Sequence, residues 1–276
     1  MTTKIICLSV DVEEDLPGIL PPTTYGLEVG LPKLLQLFEQ AHLRADFFFL
    51  ASIVRTNPSL VRHIANLGHG IGNHGFDHHF LCAKPLKDQH HEIRTSTRIL
   101  ECTVSHEPRM FRAAGFSANP VTLRILEDEG YVVDSSILPG RITRRFRLFP
   151  IYDHRGAQKE PHFPVAGDGV AETRLLEVPV TENPLLPGAP LGLGAVNAFG
   201  SAAILDALRG AEMTTVVFLI HPWELVDLKA IYPSLPPGYA RACSPDMTNI
   251  RDFLRAARGF ATFATLADVR QGCLEA

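Results

Sequence analysis

The stretch 68–79, Gly-His-Gly-Ile-Gly-Asn-His-Gly-Phe-Asp-His-His, holds four of the twelve histidines in the chain. His74 and His78 are spaced i, i+4, so two imidazoles can reach a single ion, and neutral histidine nitrogens suit Zn²⁺ and similar divalent metals. Three glycines in the first five residues let the backbone turn sharply, and Asp77 lies between the two histidines. A chance cluster of surface histidines stays open beside the metal, because His-x₃-His alone is a weak motif. A metal there needs a third ligand from elsewhere.

The elements around this stretch say where such a ligand can come from. Residues 5–10 form a short β-branched run that ends in Asp11-Val12-Glu13-Glu14-Asp15, which reads as a buried strand with acids at its C-terminal end. An apolar helical face follows at 32–42, then a strand at 45–50. Asn57-Pro58 matches an N-cap with proline at the first helical position, opening a helix that Gly68 stops near residue 67. Residues 70–73 then make a third strand, which puts His74 at a strand end as well.

A helix over 85–102 leads to a strand at 110–113 that carries Arg112 toward its end. Asn119-Pro120 repeats the cap signature and opens a helix to Gly130, and the strand 131–133 ends in Asp134-Ser135-Ser136. Residues 139–174 are rich in Pro, Gly and charge, lack periodicity, and read as a long loop excursion. A strand at 175–180 runs into an apolar Pro/Gly-rich loop over 181–194. Helix 200–210 and strand 214–220 come next, with His221-Pro222-Trp223-Glu224 at the strand's C-terminal end. Helix 251–258, strand 260–263 and helix 266–271 close the chain. The alternation predicts one parallel α/β domain over 1–276, and polar residues at so many strand ends favour a barrel over an open sheet. No Gly-x-Gly-x-x-Gly follows the first strand, so a dinucleotide fold lacks its marker.

Composition narrows the class. A net charge of −4 gives no global basic surface, which argues against a nucleic-acid partner. Five scattered cysteines, never paired as Cys-x-x-Cys, suit thiols in a reducing compartment. The first apolar run is too short for a signal peptide, and no uncharged stretch is long enough to span a bilayer. The expectation is a cytoplasmic protein, with peripheral membrane attachment left open. Monomer and homo-oligomer both remain open.

The set Asp11-Val-Glu13, His74-Gly-Phe-Asp-His78, Arg112-Ala-Ala-Gly, Asp134-Ser-Ser and Leu219-Ile-His221 resembles, in order and spacing, the successive motifs of the polysaccharide deacetylases, also called NodB-homology domains. The resemblance covers residues 5–225. It implies a distorted (β/α)₇ barrel that holds one divalent metal through an acid and two histidines, with a second acid as base. Most relatives begin with two adjacent aspartates; here Val12 intervenes, as in the branch that writes Asp-Val-Asp or Asp-Val-Glu. Acids two apart at an extended strand end project to the same side. The resemblance therefore makes Asp11 the base and Glu13, His74 and His78 the metal ligands. Glu14 and Asp15 are substitutes whose simpler reading is a solvated acidic turn. The expected metal is Zn²⁺, with Co²⁺, Ni²⁺ and Mn²⁺ as alternatives.

Two histidines and one carboxylate leave open positions on the metal, as in catalytic rather than structural zinc. On this reading Asp11 takes a proton from water, His221 protonates the leaving amine, and Arg112 holds Asp11 ionised. A structural arginine capping a loop is the competing reading for Arg112. Asp134 fixes His221, contacts substrate or merely caps its turn. Trp223 offers a face to a sugar ring or anchors the next element. Glu224 reads as a solvated or helix-terminal charge, and Asp77 as a partner for a ligand imidazole. Arg141, Arg144, Arg145 and Arg147 crowd one loop, where they are a solvated basic surface or an anion-binding patch, with Arg144 as the substrate-contacting candidate.

The implied activity is removal of an N-acyl group, most simply acetyl, from an amino sugar in a glycan or lipid-linked sugar. A deformylase of lipid-phosphate-linked formamido sugars, an allantoinase-like amidohydrolase and a silent carbohydrate-binding domain are the alternatives.

Overall fold

The computed structural model describes residues 3–145, 148–165 and 173–275. Its strands are β1 (Lys4–Val12), β2 (Asp46–Phe49), β3 (Gly70–Asn73), β4 (Met110–Phe111), β5 (Val133–Asp134), β6 (Ile142–Arg145), β7 (Phe149–Asp153), β8 (Leu176–Glu177), β9 (Thr215–Ile220) and β10 (Ala261–Ala264). Eight of them form one parallel sheet in the order β10-β1-β2-β3-β4-β5-β8, with β9 on the other side of β1. The sheet curls. Beyond β8 the chain reaches β9, where Val217 N donates to Thr181 Oγ1 at 2.9 Å and Leu219 N to Leu191 O at 3.0 Å. These bonds bridge the gap and give the distorted parallel barrel that the sequence predicts. The strand expected at 260–263 is β10, which pairs with Lys4–Cys7 of β1, while β2 takes Ser9–Val12.

The two-residue period of a strand divides the core. Leu8, Val10, Phe47, Val216 and Phe218 face outward into a cluster with Phe38, Ile64 and Phe253 of the surrounding helices. Cys7, Phe48, Met110, Val217, Leu219 and Leu266 fill the inner face. Continuing each strand at that inner parity beyond its apolar part yields Ser9, Asp11 and Glu13 from β1, His74 from β3, Arg112 from β4 and His221 from β9. Each of these strands is apolar on both faces until it nears its C-terminal end. These acids, histidines and the arginine thus gather at one end of the barrel, with Asp46 buried at the start of β2.

Two local readings need correction. Residues 139–174 are not structureless: β6 and β7 pair as an antiparallel hairpin with a bulge between Thr143 and Arg144, and His162 bridges Glu177. Asn57 does precede the helix Pro58–Asn66, but its side chain donates backward, to Ile53 O and Thr56 Oγ1, and so closes the helix Ala51–Thr56. Asn119, by contrast, caps Pro120–Asp128 with a reciprocal box to Thr122. Among the described residues no helix is long and apolar enough to cross a membrane.

Candidate metal centre and active site

His74 follows the last residue of β3, and its backbone is held on both sides. His74 N donates to Phe49 O at 2.9 Å, and Gly75 N donates to the buried Asn73 Oδ1 at 2.8 Å. Asn73 Nδ2 in turn donates to Tyr131 OH at 2.7 Å and Ser96 Oγ at 2.9 Å, which ties the strand end to the helix Leu86–Val104. Gly75 has φ of +89°, a conformation that glycine adopts without strain, and the turn there sends the chain back toward the site. His78 then comes to rest with its ring 6.0 Å from that of His74.

Glu13 is the centre of the group. Its Oε2 lies 3.0 Å from His78 Nε2 and 3.5 Å from His74 Nε2, and its Oε1 lies 3.6 Å from His221 Nε2. Trp223 Nε1 donates to the same Oε1 at 3.3 Å. One ligand atom from each of Glu13, His74 and His78 fits within 4.8 Å of the others. Burial alone would raise the Glu13 carboxyl. The charges of His78 and His221 and the close approach of the His74 and His78 rings outweigh it and hold Glu13 well below the usual carboxylate range. The converse acts on His78, where the Glu13 charge overcomes burial and raises the imidazole.

The donor set fits a divalent metal. His74 Nδ1 meets the Arg112 carbonyl at 2.8 Å, which makes Nδ1 the protonated nitrogen and leaves the Nε2 lone pair facing Glu13. That Nε2 and Glu13 Oε2 are buried without a hydrogen-bond partner, and two unsatisfied acceptors at this depth are costly unless a cation meets them.

Asp11 stands on the other side of His74, with Oδ2 3.7 Å from His74 Nε2. Arg112 is completely buried and spends its fork on this neighbourhood. Nη1 donates to Asp11 Oδ1 at 2.8 Å and Ser9 Oγ at 3.0 Å, while Nε and Nη2 donate to the carbonyl and hydroxyl of Ser135. Its guanidinium also lies 4.4 Å over the Phe48 ring. His221 meets the other oxygen of Glu13, with Nε2 3.6 Å from Oε1. Its ring stacks on Trp223 at 4.7 Å, and although burial lowers its pKa, the charges of Glu13, Glu224 and Asp11 outweigh that and raise it to about 9.

Other candidates go elsewhere. Asp134 does not reach His221: Val133 and Ser135 take the inward positions of β5, so Asp134 turns outward, accepts from Ser136 Oγ at 2.6 Å and stands in register with Glu177. Burial raises both carboxyls, Glu177 well above its usual range. Trp223 is 6% exposed and packs with Leu16, Val226, Leu228 and Leu235, which makes it an anchor rather than an open platform. Asp15 is no solvated turn but a fully buried clamp that accepts from Thr23 Oγ1, Tyr25 N and Gly26 N. Asp77 pairs with the exposed His79 at 2.6 Å instead of a ligand imidazole.

Arg144 is exposed on β6 and, among the described residues, makes no ion pair with the site. Arg141 donates to Gly188 O, so the excursion does touch the apolar 181–194 loop. Arg147 and the Arg145 side chain lie outside the described residues. The residue that sequence reasoning missed is Glu224, which is 6% exposed and accepts His221 N at 2.9 Å. Its signal is the three-residue spacing from His221, the spacing of a cap.

Glycine at position 30 lets the last motif sit this close to the first. A side chain there would start 1.8 Å from Pro222 O, so the helical turn Gly26–Gly30 lies with its backbone against the Pro222–Leu225 turn.

This curled parallel sheet with its chemistry at one end is the polysaccharide deacetylase fold. A Mycobacterium smegmatis structure assigned to those enzymes superposes with a TM-score of 0.68 at 20% identity, covering 98% of this chain and 90% of that one. A solved allantoinase gives 0.66 at 14%, covering 97% and 89%. At the level of sequence, residues 19–133 match the polysaccharide deacetylase family model, so the resemblance carried by the motifs holds. That segment includes His74, His78 and Arg112; Asp11, Glu13 and His221 lie outside it. A Helicobacter pylori peptidoglycan deacetylase is 26% identical over 130 residues, 47% of this chain and 44% of the relative. The chain spans less than half the length of the curated relatives it matches.

Proposed function

We propose that the chain is a metal-dependent hydrolase that removes an N-acyl group, most simply acetyl, from an amino sugar of a glycan or glycolipid. The observation that carries this reading is the Glu13–His74–His78 donor set with Asp11 on one side and His221 on the other. A divalent ion held by the three donors would polarise the amide carbonyl and make water more acidic. Asp11, oriented by the Arg112 guanidinium at 2.8 Å, accepts the proton that the attacking water gives up. His221 delivers a proton to the departing nitrogen as the C–N bond breaks, which yields the carboxylic acid and the free amine. Glu13 and His221 come from strands far apart in the sequence and meet in one site, which supports reading residues 1–276 as a single catalytic domain.

The test is acetate release by purified, zinc-loaded protein from N-acetylated glucosamine oligomers and from peptidoglycan, with formate release from formylated sugars as the comparison. About one ion per chain is expected, as for a single catalytic site. Absence of both bound metal and acid release sinks the reading. So does full activity in a His74→Ala, His78→Ala double variant.

A further inference from the structure

We propose that Glu224 is the positioning residue for His221, the part that sequence reasoning offers to Asp134. The inference rests on the reading of His221 as the proton donor and adds the group that sets which of its nitrogens faces substrate. Nε2 points toward Glu13 at 3.6 Å, and the opposite nitrogen, Nδ1, lies 3.5 Å from Glu224 Oε1. Among the described residues no other carboxylate lies within ion-pair distance of Nδ1. The separation is that of a loose resting contact, of the kind that tightens when substrate binds.

The carboxylate is built into place. Its second oxygen accepts His221 N at 2.9 Å, so histidine and glutamate are locked across one turn. The Glu224 carbonyl accepts from Asn197 Nδ2 at 3.1 Å and from Ser244 N at 2.8 Å, which fixes the residue from two further elements. Gly194, in the helix Leu193–Phe199, leaves the space that the side chain fills: a Cβ there would stand 2.5 Å from Oε1. Stacking on Trp223 at an interplanar angle of 20° restricts the remaining freedom of the ring. An anion on Nδ1 keeps the proton at that nitrogen and leaves Nε2 as the nitrogen that exchanges a proton with the substrate.

Glu224→Gln separates this role from simple capping. The amide oxygen can still accept His221 N, but the NH₂ group then faces Nδ1 and favours the opposite tautomer. We expect kcat to fall about 10–100-fold, the usual cost of losing an outer-shell partner, with KM and metal content unchanged. Gly194→Ala, which displaces Oε1 without touching the histidine, should act in the same direction. In the zinc-loaded protein at neutral pH, long-range ¹H–¹⁵N spectra should show His221 protonated on both nitrogens in the wild type and the proton missing from Nδ1 in E224Q. An unchanged spectrum together with wild-type kcat overturns the proposal, as does loss of kcat in Asp134→Asn but not in E224Q. The spectrum needs no turnover. An inactive wild type would therefore defeat the deacetylase reading and leave the Glu224 assignment to be decided by the nitrogen signals.

Discussion

Arg112 holds two parts of the site at once: its Nη1 donates to Asp11 Oδ1 at 2.8 Å, and its carbonyl receives His74 Nδ1 at the same distance. The side chain thus sets the acid and the backbone sets the imidazole. Replacing it by methionine keeps an apolar chain over Phe48 but leaves Asp11, 3% exposed, without a counter-charge. Breaking a buried pair from one side costs about 3–5 kcal/mol. Urea unfolding of Arg112→Met should show a loss of this order, and a loss below about 1 kcal/mol would count the pair as expendable.

Metal content should separate Glu13 from its acidic neighbours. Glu13→Gln is expected to abolish stoichiometric zinc binding, because Glu13 alone among the acids of residues 11–15 meets both His74 and His78 within 3.5 Å. Asp15→Asn should lower the melting temperature, since Asp15 accepts three hydrogen bonds within its loop, yet retain the ion. Dialysis followed by elemental analysis reads both. The opposite pattern would reassign the ligand.

Trp223 should act on the metal through Glu13. Trp223→Phe preserves an aromatic face for His221 but removes the N–H that reaches Glu13 Oε1 at 3.3 Å. Losing a partner of a ligating carboxylate weakens metal binding by roughly 10-fold or more. Competition with a chromophoric chelator measures this. Equal affinities would leave the tryptophan with packing alone.

A pH signature comes from Asp46 inside the barrel. Its Oδ2 accepts Leu266 N at 2.7 Å, its Oδ1 has no partner, and burial raises its pKa to about 7. An unfolded aspartate titrates near 3.9, so folding favours the protonated form and this contribution to stability is complete below about pH 4 and lost as pH rises toward 7. Between about pH 5 and pH 8 the wild type should lose about 2–3 kcal/mol more than Asp46→Asn. Paired urea titrations test the difference, and parallel curves would refute it.

That acids and histidines stand at strand ends is legible in the sequence because it depends only on residue types at the ends of apolar runs. Which of them belong to one site, with Arg112 and His221, is implied by the family resemblance of the ordered motifs. Asp134 fails on parity: the sequence shows that it ends a strand, but a one-residue difference in where inward positions fall turns it from the barrel to Glu177. Glu224 and Asp15 look like solvent charges because nothing local shows that Gly194 and Gly26 leave room for them. The helix Ala51–Thr56 is too short to display a period, and Pro150 and adjacent arginines mask the alternation of the β6–β7 hairpin. These are features of long-range packing, which composition does not carry.

The pairing of β1 with β9 has a consequence in time. Glu13 and Trp223 are 210 positions apart in the sequence, so a ribosome will have made most of the chain before the first acids meet the last histidine. Contacts this distant are slow to form, because a long loop must close before they return anything. The contacts of the histidine stretch, such as His74 N to Phe49 O, close much shorter loops and are the faster ones to form.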